Sequence, residues 1–531
     1  MNAIGFLQNN LSNCDTKIST IVPINFTHSC AIGETGCGKT TSYIYPNLDE
    51  RIKNNHSILM YDYKGKEHLA LKTIAKKHNK LENVIEIGVP WGKKINLLKY
   101  MNEAEVRKFV INIVGLTDKD PYWSTSAANI VVSIFKVYKE HIDILNEVPK
   151  KDKKKFNFGI DTNLLKELTF ATIATIVKDV DSIVEFVETI SDLIAVYKHN
   201  FESLLLNSCR KDTDEIAKER YQALLEKILI FENNFEKYLE PLDIFMNSSR
   251  KSSTFESIIL SMSTTFATIS SIDAFNKDEL DIVKELNNGK IIVINTQELS
   301  SSALSAFSAS LFQELSKRVT VKNKNGISIF IDEAQRVLTG EFDLYEDVLR
   351  EAKVELFLAF QNHSLMIESL GENNFIALYQ NLSSRFHFRN NIAFKEIQTD
   401  ELSQFEFLLH DDDTKHVSNK IFLNNDELFT AQQEYLRVNN IYKKYALKKY
   451  MNKYILLFNP YIFKQNKLML EDKKGNTIIV PIRNIAIEIE VNKYMKELLK
   501  KSKKSFLSNR KVEINDEEQT LTDIILGVRA S

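Results

Sequence analysis

Cysteine is scarce: the 531 residues hold four, Cys14, Cys30, Cys37 and Cys209, none at metal-ligand spacing. A disulfide scaffold and a cysteine-held metal are thereby excluded, and a reducing compartment is the natural setting. A strong charge of either sign is missing as well. The net charge of −2 rules out a uniformly basic surface, so any nucleic-acid contact must be local. No stretch approaches the about 18 uninterrupted apolar residues of a membrane span, and Met1 to Thr20 lacks the basic-then-apolar layout of a signal peptide. Neither an internal repeat nor a low-complexity tract is present. Glycine, 15 in all, almost vanishes between Glu103 and Ile269, where the periodicity is helical.

Where glycine does concentrate, it carries chemistry. Gly33-Glu34-Thr35-Gly36-Cys37-Gly38-Lys39-Thr40 fits the phosphate-binding loop pattern of a glycine, four free positions and Gly-Lys-Ser/Thr. A polyphosphate must be wrapped by backbone N–H groups, and side chains at Gly36 or Gly38 would obstruct that approach. Lys39 can reach the β- and γ-phosphates, the Thr40 hydroxyl can ligand Mg2+, and Thr41 extends the first helical turn, whose positive end faces the anion. The apolar run His28 to Ile32 precedes the loop as a buried strand, and Thr40 to Leu48 begins a helix.

A second motif matches it from far along the chain. Ile327 to Glu333 is an apolar, β-rich run ending in two acids, the pattern of a Walker B strand. Asp332 would hold Mg2+ through water and Glu333 would polarise the attacking water. Between the motifs, Ser57 to Glu67 reads as a strand ending in a charged turn, with Asp62 and Lys64 either beside the nucleotide or merely solvated. Val84 to Gly88 is a third strand, and Ile95 to Leu98 closes that unit. The helical stretch contains Asp120-Pro121-Tyr122-Trp123, a helix from Ala127 to Tyr138, and the lysines 150, 151, 153, 154 and 155, a solvated loop or a binding patch.

The alternating pattern resumes with a strand at Lys290 to Asn295, a helix at Ser305 to Val319 and the Walker B strand. A helix over Leu344 to Glu351 then feeds the strand Val354 to Phe360. Gln361, at its tip, lies where a γ-phosphate could be sensed. Ser384 to Arg389 is β-like, its arginines binding phosphate or decorating an edge. The expected fold is α/β: a RecA-like P-loop domain with an inserted all-α domain and a smaller mixed α+β C-terminal region. The boundaries read as 1–100 and 271–400 for the two parts of the nucleotide domain, 101–270 for the insert and 401–531 for the C-terminal region.

That C-terminal region is legible in outline. His410-Asp411-Asp412-Asp413 with His416 is a solvated acidic loop or, less simply, a metal site. Lys467 to Val491 alternates around Lys474-Gly475-Asn476 as a β-hairpin. A basic run from Lys493 to Lys511, the acidic Glu513 to Glu518 and an apolar end, Leu521 to Val528, suit a docking tail or a flexible one.

In order, these motifs resemble the type IV coupling proteins of conjugation and type IV secretion, the TraG/TraD-like hexameric ATPases related to the FtsK and HerA motors. The matching segments are the phosphate loop followed by Tyr45-Pro46-Asn47-Leu48, the Asp62-x-Lys64-Gly65-x-Glu67 turn, Ile95 to Leu98, Asp120 to Trp123, Asp332-Glu333-Ala334 and the strand ending at Gln361. The resemblance implies a cytoplasmic P-loop ATPase using ATP and Mg2+. It further implies a ring, a hexamer, moving single-stranded or relaxase-linked DNA to a secretion channel, and held at the inner membrane through partners. It assigns nucleotide and metal roles to Lys39, Thr40, Asp332 and Glu333, and matches Gln361 to the glutamine after the strand. Arg350 stands where an arginine resembling a trans-acting finger would complete a neighbour's site, or is simply an exposed helix-end arginine. The chain departs from relatives that begin with a membrane anchor. Two alternatives stay open: a cytosolic HerA/FtsK-like motor for packaging, plasmid or defence work, and a nucleotide-gated adaptor that captures cargo and hydrolyses ATP slowly.

Overall fold

A computed structural model describes residues 4–7, 20–115, 121–148, 167–210, 215–248, 253–321, 324–340, 343–390, 399, 401–410, 415–418, 420–423, 428–430, 433, 455–457, 467–471 and 477–481. Asp120, the lysine cluster at 150–155, Asp411 to Asp413, the Lys474-Gly475-Asn476 turn and the charged tail from 493 onward lie outside them. The chain divides into two compact units, Met1–Asn424 and Asn425–Ser531.

In the first unit, β1 is Ile4–Leu7, β2 His28–Ile32, β3 Ser57–Asp62 and β4 Val84–Ile87, with helices α1 (Tyr45–Lys53) and α2 (Glu67–Lys77) between them. Among the described residues six helices follow with no strand between them: α3 (Glu103–Gly115), α4 (Pro121–Glu147), α5 (Phe170–Ile176), α6 (Val180–Arg210), α7 (Glu215–Ser248) and α8 (Ser253–Ser270). After α9 (Ile282–Asn287), strands and helices alternate as β5 (Ile291–Asn295), α10 (Ser301–Ser316), β6 (Ile327–Asp332), the short α11 (Ala334–Val337) and α12 (Glu346–Leu349), and β7 (Val354–Phe360). Then come α13 (His363–Leu370), α14 (Glu372–Asn381), β8 (Leu382–Phe388), β9 (Glu406–Leu409), β10 (Lys415–Val417) and β11 (Lys420–Leu423).

Nine strands form one sheet in the order β10-β9-β8-β2-β7-β6-β3-β5-β4. From β8 to β4 all neighbours run parallel, and β9 and β10 append antiparallel. The sheet thus extends beyond residue 400, into the stretch read from sequence as a separate region. Phe407 on β9 packs on Phe386 and Phe388 of β8, an aromatic contact that sequence spacing does not announce. Short β1 pairs antiparallel with β11.

Every residue of β2, β3, β6 and β7 is buried, as both faces of a parallel sheet are covered by helices. One apolar cluster runs from Leu59, Ile294, Ile329 and Leu358 on the sheet into Phe109, Ile134, Phe170 and Phe266 of the helical stretch. The helices therefore share a core with the sheet. Helix α10 starts earlier than its apolar pattern predicts because the Ser300 side chain accepts the Ala303 N–H as an N-cap. The helix expected over Leu344 to Glu351 shrinks to one turn, bounded by Tyr345 and Lys353 at positive φ.

The second unit contains β12 (Ile455–Leu457), β13 (Lys467–Glu471) and β14 (Thr477–Pro481), an antiparallel sheet. The register Glu471↔Thr477 to Lys467↔Pro481 is that of the expected hairpin.

Candidate functional site

The phosphate loop leaves β2 at the carboxyl end of the sheet, where open α/β sheets bind ligands. Gly36 and Gly38 have φ of +86° and +105°, which only glycine adopts without strain. Gly38 is constrained twice: a Cβ there would stand 2.4 Å from the Phe405 ring. Phe405, itself at φ +74°, donates its N–H to the Cys37 carbonyl at 3.1 Å, and Gln404 Nε2 donates to the Gly36 carbonyl at 3.0 Å. On the other side the Glu34 N–H donates to the Arg389 carbonyl, and Arg389 Nε donates to Glu34 Oε1 at 2.6 Å. That arginine braces the loop through Glu34.

Lys39 is buried, with Nζ donating to the carbonyls of Gly33 at 2.5 Å and Glu34 at 3.0 Å. Thr35 is exposed at the loop tip, and the Thr41 hydroxyl donates to the Gly38 carbonyl. Burial pushes the Cys37 thiol above its ordinary pKa despite Lys39 nearby, so it is no ready thiolate. The helix after the loop opens on a widened turn, Thr40–Ile44, in which the Tyr45 N–H reaches the Thr40 carbonyl. Pro46 explains the shift, because it has no N–H for the Ser42 carbonyl, which accepts the Thr20 hydroxyl instead at 2.5 Å.

The two motifs meet although 292 positions separate them: Thr40 Oγ1 donates to Asp332 Oδ2 at 3.2 Å. A hydroxyl and a carboxylate are a donor pair that suits Mg2+, which keeps much of its hydration. Among the described residues no group of three or more His, Cys, Asp or Glu side chains could cage a metal. His416, named from sequence together with Asp411 to Asp413, which lie outside the described residues, is buried against Phe407.

Glu333 follows Asp332 at φ +59°, a left-handed conformation unusual for glutamate and of the sort stored at functional sites. Its Oε2 accepts from Gln361 Nε2 at 3.0 Å and from Gln335 Nε2 at 2.6 Å. Burial alone would raise its pKa, but the Lys64 ammonium and these amide donors outweigh it and hold the carboxyl below its ordinary value. Gln361 reaches Glu333 because β7, which it ends, lies between the phosphate-loop strand and the Walker B strand. Gln335 was missed in the sequence; its signal was the spacing Asp-Glu-x-Gln, which returns a side chain to the strand end.

Arg350 is not brought to this site. It is exposed, at the end of α12, whose Glu346 carbonyl lies 2.7 Å from the ring of His28, the first residue of β2, at the opposite end of the strands from the loop. Whatever it does at a phosphate, it does not do in its own chain.

Around the acids a further polar cluster forms. The Tyr45 hydroxyl donates to Glu67 Oε2 at 2.6 Å, and burial, with Asp332 and Asp62 nearby, pushes the Glu67 carboxyl up to about 7. A raised carboxyl pKa means that the folded chain favours the protonated form. The stability it contributes is complete below the ordinary glutamate value and is lost as pH rises through about 7. Glu67→Gln, which keeps an acceptor for Tyr45, should therefore melt higher than the parent at pH 8, by on the order of 2 kcal/mol, and alike near pH 4. Thermal melts at the two pH values test this, and an equal gap at both would refute it.

No family model matches the sequence, and no curated protein matches it. Among solved structures it is similar to the unbound conjugative coupling protein TrwBdeltaN70, at 12% identity and a TM-score of 0.43 over 76% of this chain and 87% of that one. It is similar to TrwB in complex with ADP and Mg2+, at 13% identity and 0.43 over 79% and 92%. VirB4 of Thermoanaerobacter pseudethanolicus matches at 11% and 0.43 over 75% and 91%.

Proposed function

We propose that the chain is an ATP-hydrolysing motor of the coupling-protein kind, which assembles as a homo-hexameric ring and delivers DNA or a nucleoprotein to a conjugative or type IV secretion channel. The observation that carries the ATPase reading is the contact pair Thr40–Asp332 and Gln361–Glu333, which gathers four separately read residues at one end of the sheet.

In this reading the loop amides from Gly33 to Thr41 hold the polyphosphate, with Lys39 against its terminal phosphates. Thr40 and Asp332 would hold Mg2+, which supplies neutralisation of phosphate charge. Glu333 takes the proton of the attacking water as its oxygen bonds the γ-phosphorus and the bond to the β-phosphate oxygen breaks, leaving ADP and inorganic phosphate. Gln361 holds the Glu333 carboxylate and registers the phosphate beside it. Arg350 acts on the next subunit's site, which agrees with its distance from its own. Pore loops would grip backbone phosphates rather than read bases, as a near-neutral chain needs only local basic contacts.

The test is steady-state ATP hydrolysis by the full chain with and without single- and double-stranded DNA. Turnover stimulated by DNA, and reduced about 10²-fold or more by Lys39→Ala, is expected. Turnover indifferent to DNA would sink the motor and favour a nucleotide-gated adaptor.

A further inference from the structure

Lys64 lies in the turn between β3 and α2, and its Nζ stands 2.8 Å from Asp332 Oδ2 and 3.3 Å from Glu333 Oε1. The turn is built to bring it there. Asp62 accepts the N–H groups of Lys66 and His68, both at 3.1 Å, and the His68 ring at 2.8 Å, which closes the backbone after the strand. Gly65, at φ +69°, lets the chain reverse, and the Gln297 side chain packs so closely that any Cβ at Gly65 would collide with it. Gln297 Nε2 donates to the Lys64 carbonyl at 3.0 Å, so a residue after β5 fixes the same turn from outside.

The oxygen that Lys64 holds is one the phosphate site also uses. Asp332 Oδ2 takes both the ammonium and the Thr40 hydroxyl. A divalent cation taken up beside that carboxylate, directly or through water, and a lysine in contact with the same oxygen repel each other, which favours release of the lysine. Lys64 can yield: its side chain is 37% exposed, on a flexible stem, while its backbone stays pinned.

We propose that Lys64 is a positioning residue, a tethered cation that holds Asp332 and Glu333 until a divalent cation displaces it, and so sets the Mg2+ concentration at which nucleotide is taken up. This rests on the reading of the loop as a Mg2+-dependent nucleotide site. Lys64 neutralises the two acids while no metal does, and its release is coupled to loading.

The test is equilibrium binding of a fluorescent ATP analogue to the full chain, titrated with MgCl2, for the parent, Lys64→Met, Lys64→Arg and Lys39→Ala. The half-saturating Mg2+ should fall about tenfold in Lys64→Met and return toward the parent in Lys64→Arg, with melting temperatures showing both variants folded. A Lys64→Met variant with unchanged or higher Mg2+ demand overturns the displacement, since a lysine that served only to bind phosphate would weaken binding at every Mg2+ concentration. If Lys39→Ala binds the analogue as the parent does, or the parent binds none, the nucleotide-site reading itself fails, whatever Lys64 does.

Discussion

Glu333→Gln is expected to slow ATP turnover by about 10²- to 10⁴-fold, the range typical of a lost general base, while nucleotide binding stays within a few-fold of the parent. The substitution keeps the shape of the side chain and its contact with the amides of Gln335 and Gln361, because the new carbonyl oxygen can still accept from them. It removes the proton acceptor and one partner of the Lys64 ammonium. Lys39, Thr40 and Asp332, which would meet the phosphates and the metal, are untouched. Phosphate release at saturating ATP, measured beside equilibrium nucleotide binding, separates the two effects. Turnover within a few-fold of the parent would remove Glu333 from the chemistry. A parallel loss of binding would show instead that the left-handed turn at Glu333 collapses without its charge.

Arg51→Met, on α1, is expected to destabilise the fold strongly, by about 3–5 kcal/mol, through its partner Glu355 on β7. Arg51 and Glu355 are both fully buried and paired bidentately, Nε to Oε1 at 2.9 Å and Nη2 to Oε2 at 3.1 Å. Arg51 also donates to the carbonyls of Val22 and Pro23 and lies over the Phe357 ring, while Ser328 donates to Glu355 at 2.7 Å. Burial alone would raise the Glu355 pKa, but the donors on it, His56 and Arg51 first, hold it below the ordinary value. Its contribution is therefore present above the unfolded pKa and lost as pH falls through the folded one. Deleting the arginine leaves a buried carboxylate uncompensated, so the loss should be largest at neutral pH and shrink in acid. Thermal melts of Arg51→Met and of Arg51→Met with Glu355→Leu decide it. The double variant should recover much of the loss, because well-packed apolar pairs replace buried ion pairs at little cost. Equal melting of the parent and the single variant would refute the argument.

How much could be read beforehand varies by residue. The phosphate loop, the strands at His28, Ser57, Val84, Ile291, Ile327 and Val354, and the hairpin at Lys467 were legible, because each depends on glycine placement or on apolar runs a few residues long. Glu355 was passed over, since one acid in an apolar strand looks like noise until Arg51, distant in sequence, is seen beside it. Lys64 was noted only as a neighbour of the nucleotide, because its contact with both acids needs β3 to lie next to β6. Arg389, Gln404 and Phe405 gave no sign of bracing the loop, as they lie on a part of the chain with no motif of its own.

By itself, then, the sequence determined the chemistry on offer: a glycine loop that can wrap phosphates, a lysine and a threonine at its end, two acids closing a buried strand, and a long helical stretch between. Those are short-range properties, set by backbone freedom and periodicity within a dozen residues. Tertiary structure alone decided the strand order that puts β7 between β2 and β6, and with it the contacts of Gln361 with Glu333, of Lys64 with Asp332 and of Phe405 with Gly38. Strand order follows from which buried faces fit together across hundreds of residues, and no local pattern encodes that choice.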